Sequence, residues 1–196
     1  MAGNFPIGVL AFQGDVREHL NALEAIGHKA IPVKTLAELN SISGLILPGG
    51  ESTTIHKLSV IFELFNPIRE KIHAGFPVFG TCAGLILLSD RILGGIEGQE
   101  TFGGLDVTVR RNAFGHQVDS FEAVLDFAGI ERPIHAAFIR APLIEEVGSK
   151  ATTVCQLDDG RIVGVQQENL LGISFHPEVT GEYAVHELFA QVVASA

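Results

Sequence analysis

The sequence predicts an α/β domain in which a mostly parallel sheet carries helices on both faces. Short apolar runs alternate along the first half of the chain with segments whose apolar residues recur at helical spacing. Each short run is continuously apolar, as expected for a strand buried between two layers of helices. The 196 residues, 46% of them hydrophobic, suffice for a sizeable core, so we expect residues 1–196 to form a single domain.

Four strands are expected in the first half of the chain, with helices between them. The strands are Ile7–Phe12, Lys29–Val33, Gly44–Leu47 and Pro77–Gly80. Asp15 and Glu18 form a capping-box pattern that predicts the start of the first helix, and Gly27 predicts its end. Thr35 and Glu38 repeat the capping pattern before a short second helix.

The remaining elements are less regular. A helix after Ser52 is expected to break at Pro67 and to end near Gly75. Further strands are predicted at Leu105–Arg110, Ser120–Asp126, Thr152–Leu157, Arg161–Gln167 and Leu170–Ser174. The turn Asp158-Asp159-Gly160 is a hairpin signal, and Glu182–Val193 has the pattern of a final amphipathic helix. The second half of the sheet is therefore expected to be partly antiparallel.

The charge and the cysteine content exclude several classes of protein. Thirteen basic residues against twenty-three acidic ones give a formal net charge of −10 without clusters of Lys and Arg, which argues against nucleic-acid binding. No apolar stretch reaches the ~18–20 residues that cross a bilayer, and Met1–Pro6 lacks the positive charge of a secretion signal. Two cysteines, Cys82 and Cys155, do not make a disulfide framework. We therefore expect a cytoplasmic protein.

The segment Gly80-Thr81-Cys82-Ala83-Gly84 places a potential nucleophile between two glycines where a strand turns into a helix. In a nucleophile elbow of this kind the side chain projects at the end of the strand, and small neighbours let the chain turn tightly. The helix N-terminus favours a thiolate and offers backbone N–H groups to an oxyanion. By itself the pattern also fits a buried cysteine before a helix.

The segment His176-Pro177-Glu178 follows another apolar strand. Residues two apart in an extended chain point the same way, and Pro177 stiffens the spacer. Glu178 could therefore orient the His176 ring and stabilise its charged form, as the carboxylate does in a Ser-His-Asp triad. A turn histidine beside a solvated glutamate fits the segment equally well, but a cysteine elbow at the end of another strand favours the catalytic interpretation.

A third segment, Pro48-Gly49-Gly50-Glu51-Ser52, follows the third predicted strand. Its two glycines let the backbone approach a ligand and aim an N–H group at it. Open α/β sheets bind ligands at the carboxyl ends of their strands, so we expect this loop beside Cys82. The segment lacks the spacing of a phosphate-binding loop, and an ordinary strand-to-helix turn remains the alternative.

Together these three segments resemble the triad class of glutamine amidotransferases. Four segments are similar, more narrowly, to the family of glutaminase subunits of pyridoxal 5′-phosphate synthase: Ala11–Asp15, Pro48–Thr54, Arg111–Gly115 and Phe138–Pro142. The similarity extends from about Ile7 to Phe189. One departure is His116, where the family usually has Arg, so the role of this position stays open.

The resemblance implies a three-layer fold of the class I glutamine amidotransferase (flavodoxin-like) type and the hydrolysis of L-glutamine to L-glutamate and ammonia. It implies that Cys82, His176 and Glu178 are catalytic. It implies glutamine contacts from Gly50, Glu51, Ser52, Arg111, Ile139 and Arg140. It also implies a partner, the synthase subunit of a hetero-oligomeric complex, which uses the ammonia to make pyridoxal 5′-phosphate (vitamin B6) from sugar phosphates.

The chemistry of the residues agrees with these implications. Backbone N–H groups of Gly50 and Ala83 are candidate oxyanion donors. Arg111 and Arg140 suit the α-carboxylate of glutamine, because a guanidinium pairs with a carboxylate in a two-pronged way, although either could be structural. Neither a metal nor an organic cofactor is needed for a reaction that proceeds through a cysteine thioester.

Other functions remain open on the sequence. The chain could be the glutaminase of another amidotransferase, such as the histidine-pathway synthase, which the segments Gln13–Asp15 and Arg111–Gly115 disfavour. It could be a redox or stress-response α/β protein with an elbow cysteine, which would need neither Glu178 nor the glycine loop, or an inactive regulatory module. Cys155 is expected in the core. Six histidines without metal-ligand spacing are interpreted as surface or structural: His19, His28, His56, His73, His135 and His186.

Overall fold

The computed structural model describes residues 5–111 and 120–196. Residues 1–4 of the N-terminal segment lie outside the described part, as do His116 and the Asn112–Gly115 portion of the motif that begins at Arg111. In the described part, a ten-stranded sheet and a separate two-stranded sheet are accompanied by seven helices. None of the described helices is long and apolar enough to cross a membrane.

The elements have the following bounds. The strands are β1 Ile7–Leu10, β2 Ala30–Val33, β3 Gly44–Leu47, β4 Val78–Thr81, β5 Ser89–Leu93, β6 Leu105–Arg110, β7 Ser120–Leu125, β8 Ile134–Ile139, β9 Leu143–Val147, β10 Thr152–Gln156, β11 Ile162–Gln167 and β12 Leu170–Ile173. The helices are α1 Val16–Ala25, α2 Leu36–Asn40, α3 Ser52–Ile61, α4 Phe65–His73, α5 Ala83–Leu88, α6 Pro177–Thr180 and α7 Ala184–Ser195.

The large sheet has the strand order β2-β1-β3-β4-β12-β11-β9-β6-β5, with β10 beside β11. Neighbours from β2 to β12 are parallel, and so are β5 and β6. The pairings of β11 with β12, β10 and β9, and of β9 with β6, are antiparallel. The predicted α/β class, with a mostly parallel sheet and an antiparallel part in the second half, is confirmed.

Two apolar clusters pack on opposite faces of the sheet. Adjacent residues of a strand point to opposite faces, and Val9 and Leu10 of β1 belong to different clusters. The cluster that holds Leu10 includes Ile55 of α3, whereas the cluster that holds Val9 includes Leu23 of α1 and Phe189 of α7. Helices therefore cover both faces, which makes the three-layer arrangement.

Several local predictions are confirmed. Thr35 and Glu38 form a capping box at the start of α2. Strands β10 and β11 form the predicted antiparallel hairpin, with Gly160 in the turn at φ 86°. The expected break at Pro67 is misplaced, because α3 ends at Ile61 and Pro67 lies in the first turn of α4. Proline is tolerated in a first turn, where the backbone N–H has no partner within the helix.

Three strands, β5, β8 and β9, and the short helix α6 were not expected. Strand β9 illustrates why, since Glu145 and Glu146 are exposed and interrupt its apolar run. The neighbouring strand β6 supplies their partners: Arg110 pairs with Glu145, and the Thr108 hydroxyl donates to Glu146 at 3.2 Å. Such cross-strand pairs stabilise a strand that has no continuous apolar signature.

The capping role predicted for Asp15 is wrong. Asp15 does precede α1, but its side chain makes no capping hydrogen bond. Its carboxylate instead lies near Nδ1 of His176, and Glu18 pairs with Arg17 on the surface. A nearby cationic ring attracts a carboxylate more strongly than backbone N–H groups do. Asp15 therefore pairs with the His176 imidazole although its sequence pattern is that of a helix cap.

Candidate active site

Cys82 occupies the turn between β4 and α5, as the elbow pattern predicts. Its backbone has φ 48° and ψ −100°, a conformation that residues other than glycine rarely adopt. A Cβ on Gly84 would lie 2.0 Å from the carbonyl oxygen of Leu47, and one on Gly80 would lie 2.6 Å from the backbone of Gly84. Both flanking positions therefore require glycine for the strand, the turn and the helix to pack this closely.

His176 and Glu178 follow the strand next to that of the cysteine. Strand β12 runs parallel to β4 with Ile173 opposite Thr81, so both strands end at the same sheet edge. The backbone N–H of Cys82 donates to the Ile173 carbonyl at 2.9 Å. Nδ1 of His176 lies 2.8 Å from Oε1 of Glu178, and both residues are buried. The predicted pairing of His176 with Glu178 is present, beside the cysteine elbow.

A second carboxylate reaches the same imidazole. Oδ2 of Asp15 lies 3.3 Å from Nδ1 of His176. Burial alone would lower the pKa of His176, but its hydrogen bonds with Asp15, Cys82 and Glu178 outweigh burial and raise it. Burial raises the pKa of the Glu178 carboxyl, and the hydrogen bond and charge of His176 oppose that rise. The negative charge of Glu178 and the positive charge of His176 thus stabilise each other.

The glycine loop after β3 packs against the turn after β1. The backbone N–H of Asp15 donates to the Gly49 carbonyl at 3.1 Å, and the N–H of Glu51 donates to Oε1 of Gln13 at 2.7 Å. A Cβ on Gly49 would lie 2.3 Å from Cε1 of His176. Glycine at position 49 therefore leaves the space that the imidazole occupies, and the predicted proximity of this loop to the elbow is confirmed.

A cavity of about 420 Å³ opens at Cys82. Its lining includes every residue for which the sequence predicts a glutamine contact or an oxyanion role, namely Gly50, Glu51, Ser52, Ala83, Arg111, Ile139 and Arg140. His176 lines the cavity as well. The Glu178 side chain is fully buried, so it can act on a ligand only through His176.

Arg111 is held in place by two neighbours. Its guanidinium donates to Oε1 of Glu51 at 2.7 Å and to Oε1 of Gln99 at 2.8 Å. Gln99 in turn donates to the Ser52 hydroxyl at 3.1 Å, and Glu51 accepts a bond from Thr54 N at the start of α3. This network fixes one wall of the cavity, and a guanidinium with five N–H donors keeps others for a ligand.

Ile139 and Arg140 line the cavity as well. The Ile139 carbonyl oxygen lies 4.0 Å from Sγ of Cys82 and can accept the weak hydrogen bond of a thiol. Arg140 has φ 44°, an uncommon conformation for a residue with a side chain. Backbone strain of this kind clusters at functional sites, which supports the functional interpretation of this segment.

Among the described residues, the group that could hold a metal ion consists of Asp15, His176 and Glu178. Ligand atoms of Asp15, His176 and Glu178 lie within 4.8 Å of one another. A buried imidazole between two carboxylates is equally the arrangement that supports a charged histidine in acyl transfer. The adjacent cysteine elbow favours this second use, and the chemistry requires no metal.

Two residues beside the triad were not recognised from the sequence. Asp15 has the pattern of a helix cap, and His19 has the pattern of a surface or structural histidine. His19 is fully buried, and its Nε2 lies 3.5 Å from Oε1 of Glu178. The available signal was the spacing of Asp15 and His19, four residues apart, which places both on one side of α1. His186 is also fully buried. Cys155 lies in the core, as predicted.

A cysteine elbow at one strand end and a His-Glu pair at the next, on a three-layer α/β fold, are the arrangement expected of a triad-type glutamine amidotransferase. The sequence pattern of the SNO glutamine amidotransferase family matches residues 9–195. The chain therefore belongs to the SNO glutamine amidotransferase family.

Individual proteins agree with this assignment. The chain is 54% identical over 191 residues to "Pyridoxal 5'-phosphate synthase subunit PdxT" of Nocardioides sp., covering 95% of each chain. It is 55% identical over 188 residues to the protein of the same name from Streptomyces coelicolor, covering 95% of this chain and 93% of the other. A solved structure described as a glutamine amidotransferase has a TM-score of 0.90 at 41% identity, covering 96% of this chain and 98% of the other.

Proposed function

We propose that the chain is the glutaminase subunit of a pyridoxal 5′-phosphate synthase, which hydrolyses L-glutamine to L-glutamate and supplies the ammonia to a synthase subunit. One observation carries the proposal: the Cys82 elbow lies beside the His176–Glu178 pair in a chain more than half identical to proteins named as subunits of that synthase. Glutamine amidotransferase membership favours this function over a redox protein, and the named relatives favour it over a histidine-pathway glutaminase.

The first half of the reaction forms a thioester. His176 holds the proton of the Cys82 thiol as an imidazolium, in keeping with its raised pKa, and the Sγ thiolate attacks the carboxamide carbon of glutamine. The backbone N–H groups of Gly50 and Ala83 bind the developing oxyanion. The C–N bond then breaks, and the imidazolium of His176 gives its proton to the departing nitrogen, which leaves as ammonia. Glu178 stabilises the imidazolium through Nδ1, at 2.8 Å.

The second half regenerates the thiol. His176 removes a proton from water, the resulting hydroxide attacks the thioester carbon, and the C–S bond breaks. Sγ recovers the proton, and glutamate leaves the cavity. All groups that move a proton or an electron pair in these steps belong to the chain, the substrate or water, so the scheme is complete without a cofactor.

The cavity supplies groups for both ends of the amino acid. We propose that Arg111 and Arg140 bind the α-carboxylate, since both line the cavity and guanidinium suits carboxylate. Glu51 can accept hydrogen bonds from the α-ammonium while it holds Arg111 at 2.7 Å. Ser52 and the backbone of Ile139 complete the proposed contacts.

The assembly is part of the same proposal. Residues 1–196 act as one glutaminase domain, and the synthase subunit of a hetero-oligomeric complex receives the ammonia. Free ammonia is protonated at neutral pH and diffuses away, so hydrolysis that is coupled to a partner wastes less glutamine. The cytoplasmic location expected from the sequence stays a prediction.

The test is release of glutamate from glutamine by the full chain, alone and with the synthase subunit of one of the named relatives. We expect hydrolysis that Cys82→Ala and Cys82→Ser abolish while the fold survives. Cys155→Ser is the matched control, because Cys155 is buried in the core and burial raises its thiol pKa to about 12. Hydrolysis that persists in a folded Cys82→Ala chain would falsify the triad.

A further inference from the structure

A buried pair of histidines lies directly behind the catalytic carboxylate. Nε2 of His19, on α1, lies 3.1 Å from the Thr81 hydroxyl and 3.5 Å from Oε1 of Glu178. Nδ1 of His19 lies 2.9 Å from Nε2 of His186, on α7. Both histidines are fully buried. Thr81 directly precedes Cys82, so His19 contacts the nucleophile strand and the acid of the triad at once.

The partners of the two rings determine which nitrogens carry protons. Among the described residues, Nδ1 of His186 has no hydrogen-bond partner. A proton there would be a buried unsatisfied donor, so the proton of His186 belongs on Nε2, from which it donates to Nδ1 of His19. His19 then carries its proton on Nε2, facing Thr81 and Glu178. The opposite tautomer would place a lone pair of His19 against a carboxylate oxygen.

Neutral rings suit this position. Burial lowers the pKa of His19 well below its ordinary value, with help from nearby His186 and His176, and burial lowers the pKa of His186 to about 4. A cation at His19 would compete with His176 for the negative charge of Glu178, whereas a neutral donor orients the carboxylate and leaves that charge to the catalytic imidazole. The titratable groups that face Glu178 are His176, His19 and, further away, Asp15.

The carboxylate needs such a donor. Oε2 of Glu178 has no hydrogen-bond partner among the described residues, and Oε1 receives Nδ1 of His176 at 2.8 Å. The carboxylate also has a backbone hydrogen bond, and the N–H of His19, 3.5 Å from Oε1, adds a favourable dipole. Without that dipole the buried carboxylate would take up a proton more readily. A neutral Glu178 could no longer support the imidazolium of His176, nor through it the thiolate of Cys82.

We propose that His19 is a positioning residue for the glutaminase reaction, which holds Glu178 and the nucleophile strand in register through its Nε2–H, with His186 fixing its tautomer. The inference rests on the proposed function and deepens it. His19 touches neither substrate nor the reacting atoms, so it acts only through Glu178 and Thr81. With His19 and His186, the cysteine triad is extended by a group of four neighbouring buried side chains, His186, His19, Glu178 and His176.

Two amide substitutions separate the two ends of the ring. In His19→Gln the amide nitrogen reaches the place of Nε2 and can still point an N–H group at Thr81 and Glu178, whereas in His19→Asn the amide reaches only the place of Nδ1. We expect His19→Asn to lower kcat by about 10-fold, the order of one lost polar contact with a charged group, with KM nearly unchanged. His19→Gln should stay within a few-fold. The control is His56→Gln, because His56 is a buried histidine of α3 that does not belong to this group of four side chains.

A second readout does not need glutamine. The rate at which iodoacetamide alkylates Cys82, followed by mass spectrometry from pH 5 to pH 9, reports the thiolate that His176 supports. We expect the midpoint to move to higher pH in His19→Asn and to stay in place in His19→Gln. If the unmodified full chain, with the synthase subunit present, releases no glutamate, the proposed function fails, and the alkylation midpoints still decide the role of His19.

The outcomes are distinct. Equal kcat and equal alkylation midpoints for His19→Asn and His19→Gln, in chains whose circular dichroism matches the unmodified protein, would overturn the proposal. If His19→Asn does not fold, His186→Leu decides, because it leaves His19 in place and frees its tautomer. A kcat that falls several-fold in His186→Leu supports the proposal, and an unchanged kcat overturns it.

Discussion

The carboxylate of Asp15 lies 3.3 Å from Nδ1 of His176, the nitrogen that Glu178 approaches to 2.8 Å. The two carboxylates differ in their surroundings, because the Glu178 side chain is fully buried and that of Asp15 is 35% exposed. Water screens the exposed group more than the buried one. The same imidazole therefore has one strong and one weaker acidic partner.

This difference predicts a rank order of activities. Glu178→Gln should lower kcat by about 10²-fold or more, because it removes the principal support of the imidazolium. Asp15→Asn should lower kcat only a few-fold, and His176→Asn should be the most severe of the three. The measurement is kcat for glutamine hydrolysis at saturating glutamine. A Glu178→Gln chain with an intact rate would remove Glu178 from the mechanism.

Local patterns were predictable from the sequence because they depend on near neighbours. The capping box of Thr35 and Glu38 is satisfied within a few residues, and Gly80 is required by the backbone of Gly84, four residues further along the chain. The His176–Glu178 contact was predictable for the same reason.

Contacts made by packing were not predictable. Asp15 meets His176, and His19 meets Glu178, only because α1 packs beside the end of β12, far along the chain. No local pattern distinguishes a capping aspartate from one that faces an imidazole. Arg111 was predicted either to bind the α-carboxylate of glutamine or to be structural, and the fold also pairs it with Glu51. The sequence alone could not show which of the many acidic residues pairs with Arg111.

A methyl group at position 49 should disable the site. In Gly49→Ala the added Cβ would lie 2.3 Å from Cε1 of His176 and 2.6 Å from Oδ2 of Asp15, so the imidazole must move. Misplacement of a catalytic group by about 1 Å can cost ~10²-fold in rate, and we expect a kcat loss of this order. Gly160→Ala is the control, since Gly160 lies in the β10–β11 turn outside the cavity lining and a Cβ there meets nothing within 4 Å, while its φ of 86° confines any strain to that turn. Equal kcat in the two variants would contradict the predicted displacement.

Removal of the cavity arginines should weaken glutamine binding. Arg111→Ala and Arg140→Ala are each expected to lower kcat/KM, mainly by raising KM. The loss should correspond to roughly 1–3 kcal/mol of free energy, the order of a hydrogen bond to a charged group. Arg69→Ala, which removes an exposed partner of Glu100 away from the cavity, should leave KM unchanged. Glutamine saturation curves measure all three. Unchanged constants in both cavity variants would remove these arginines from the site.

Stability should fall in mild acid because of His186. Its pKa in the folded chain is lowered to about 4, so between its ordinary pKa near 6.5 and pH 4 the unfolded chain binds a proton that the folded chain does not. The free energy of unfolding therefore decreases as pH falls through this window, by up to about 1.4 kcal/mol per pH unit. Urea unfolding of the unmodified and His186→Leu chains measures the difference. Parallel pH profiles for the two chains would show that His186 does not titrate in this way.

The Gly49–Gly50 peptide is where a partner could control the reaction. Its carbonyl accepts the N–H of Asp15 at 3.1 Å, and Gly50 has φ 146°, which glycine adopts without strain. In a planar trans peptide the Gly50 N–H points opposite to that carbonyl. A flip of this peptide would break the bond to Asp15 and turn the proposed oxyanion donor through about half a turn.

We expect, as a hypothesis, that the isolated chain hydrolyses glutamine slowly and that the synthase subunit accelerates it by setting this peptide. One oxyanion donor gained or lost changes a rate by ~10²–10³-fold, which is enough for a switch. The turn Gln13-Gly14-Asp15 holds the loop, because Gln13 accepts the Glu51 N–H at 2.7 Å, so a segment docked there could act on it. Gln13→Ala should reduce the acceleration and leave the slow basal rate nearly unchanged. Equal rates of glutamate release with and without the synthase subunit would refute the hypothesis.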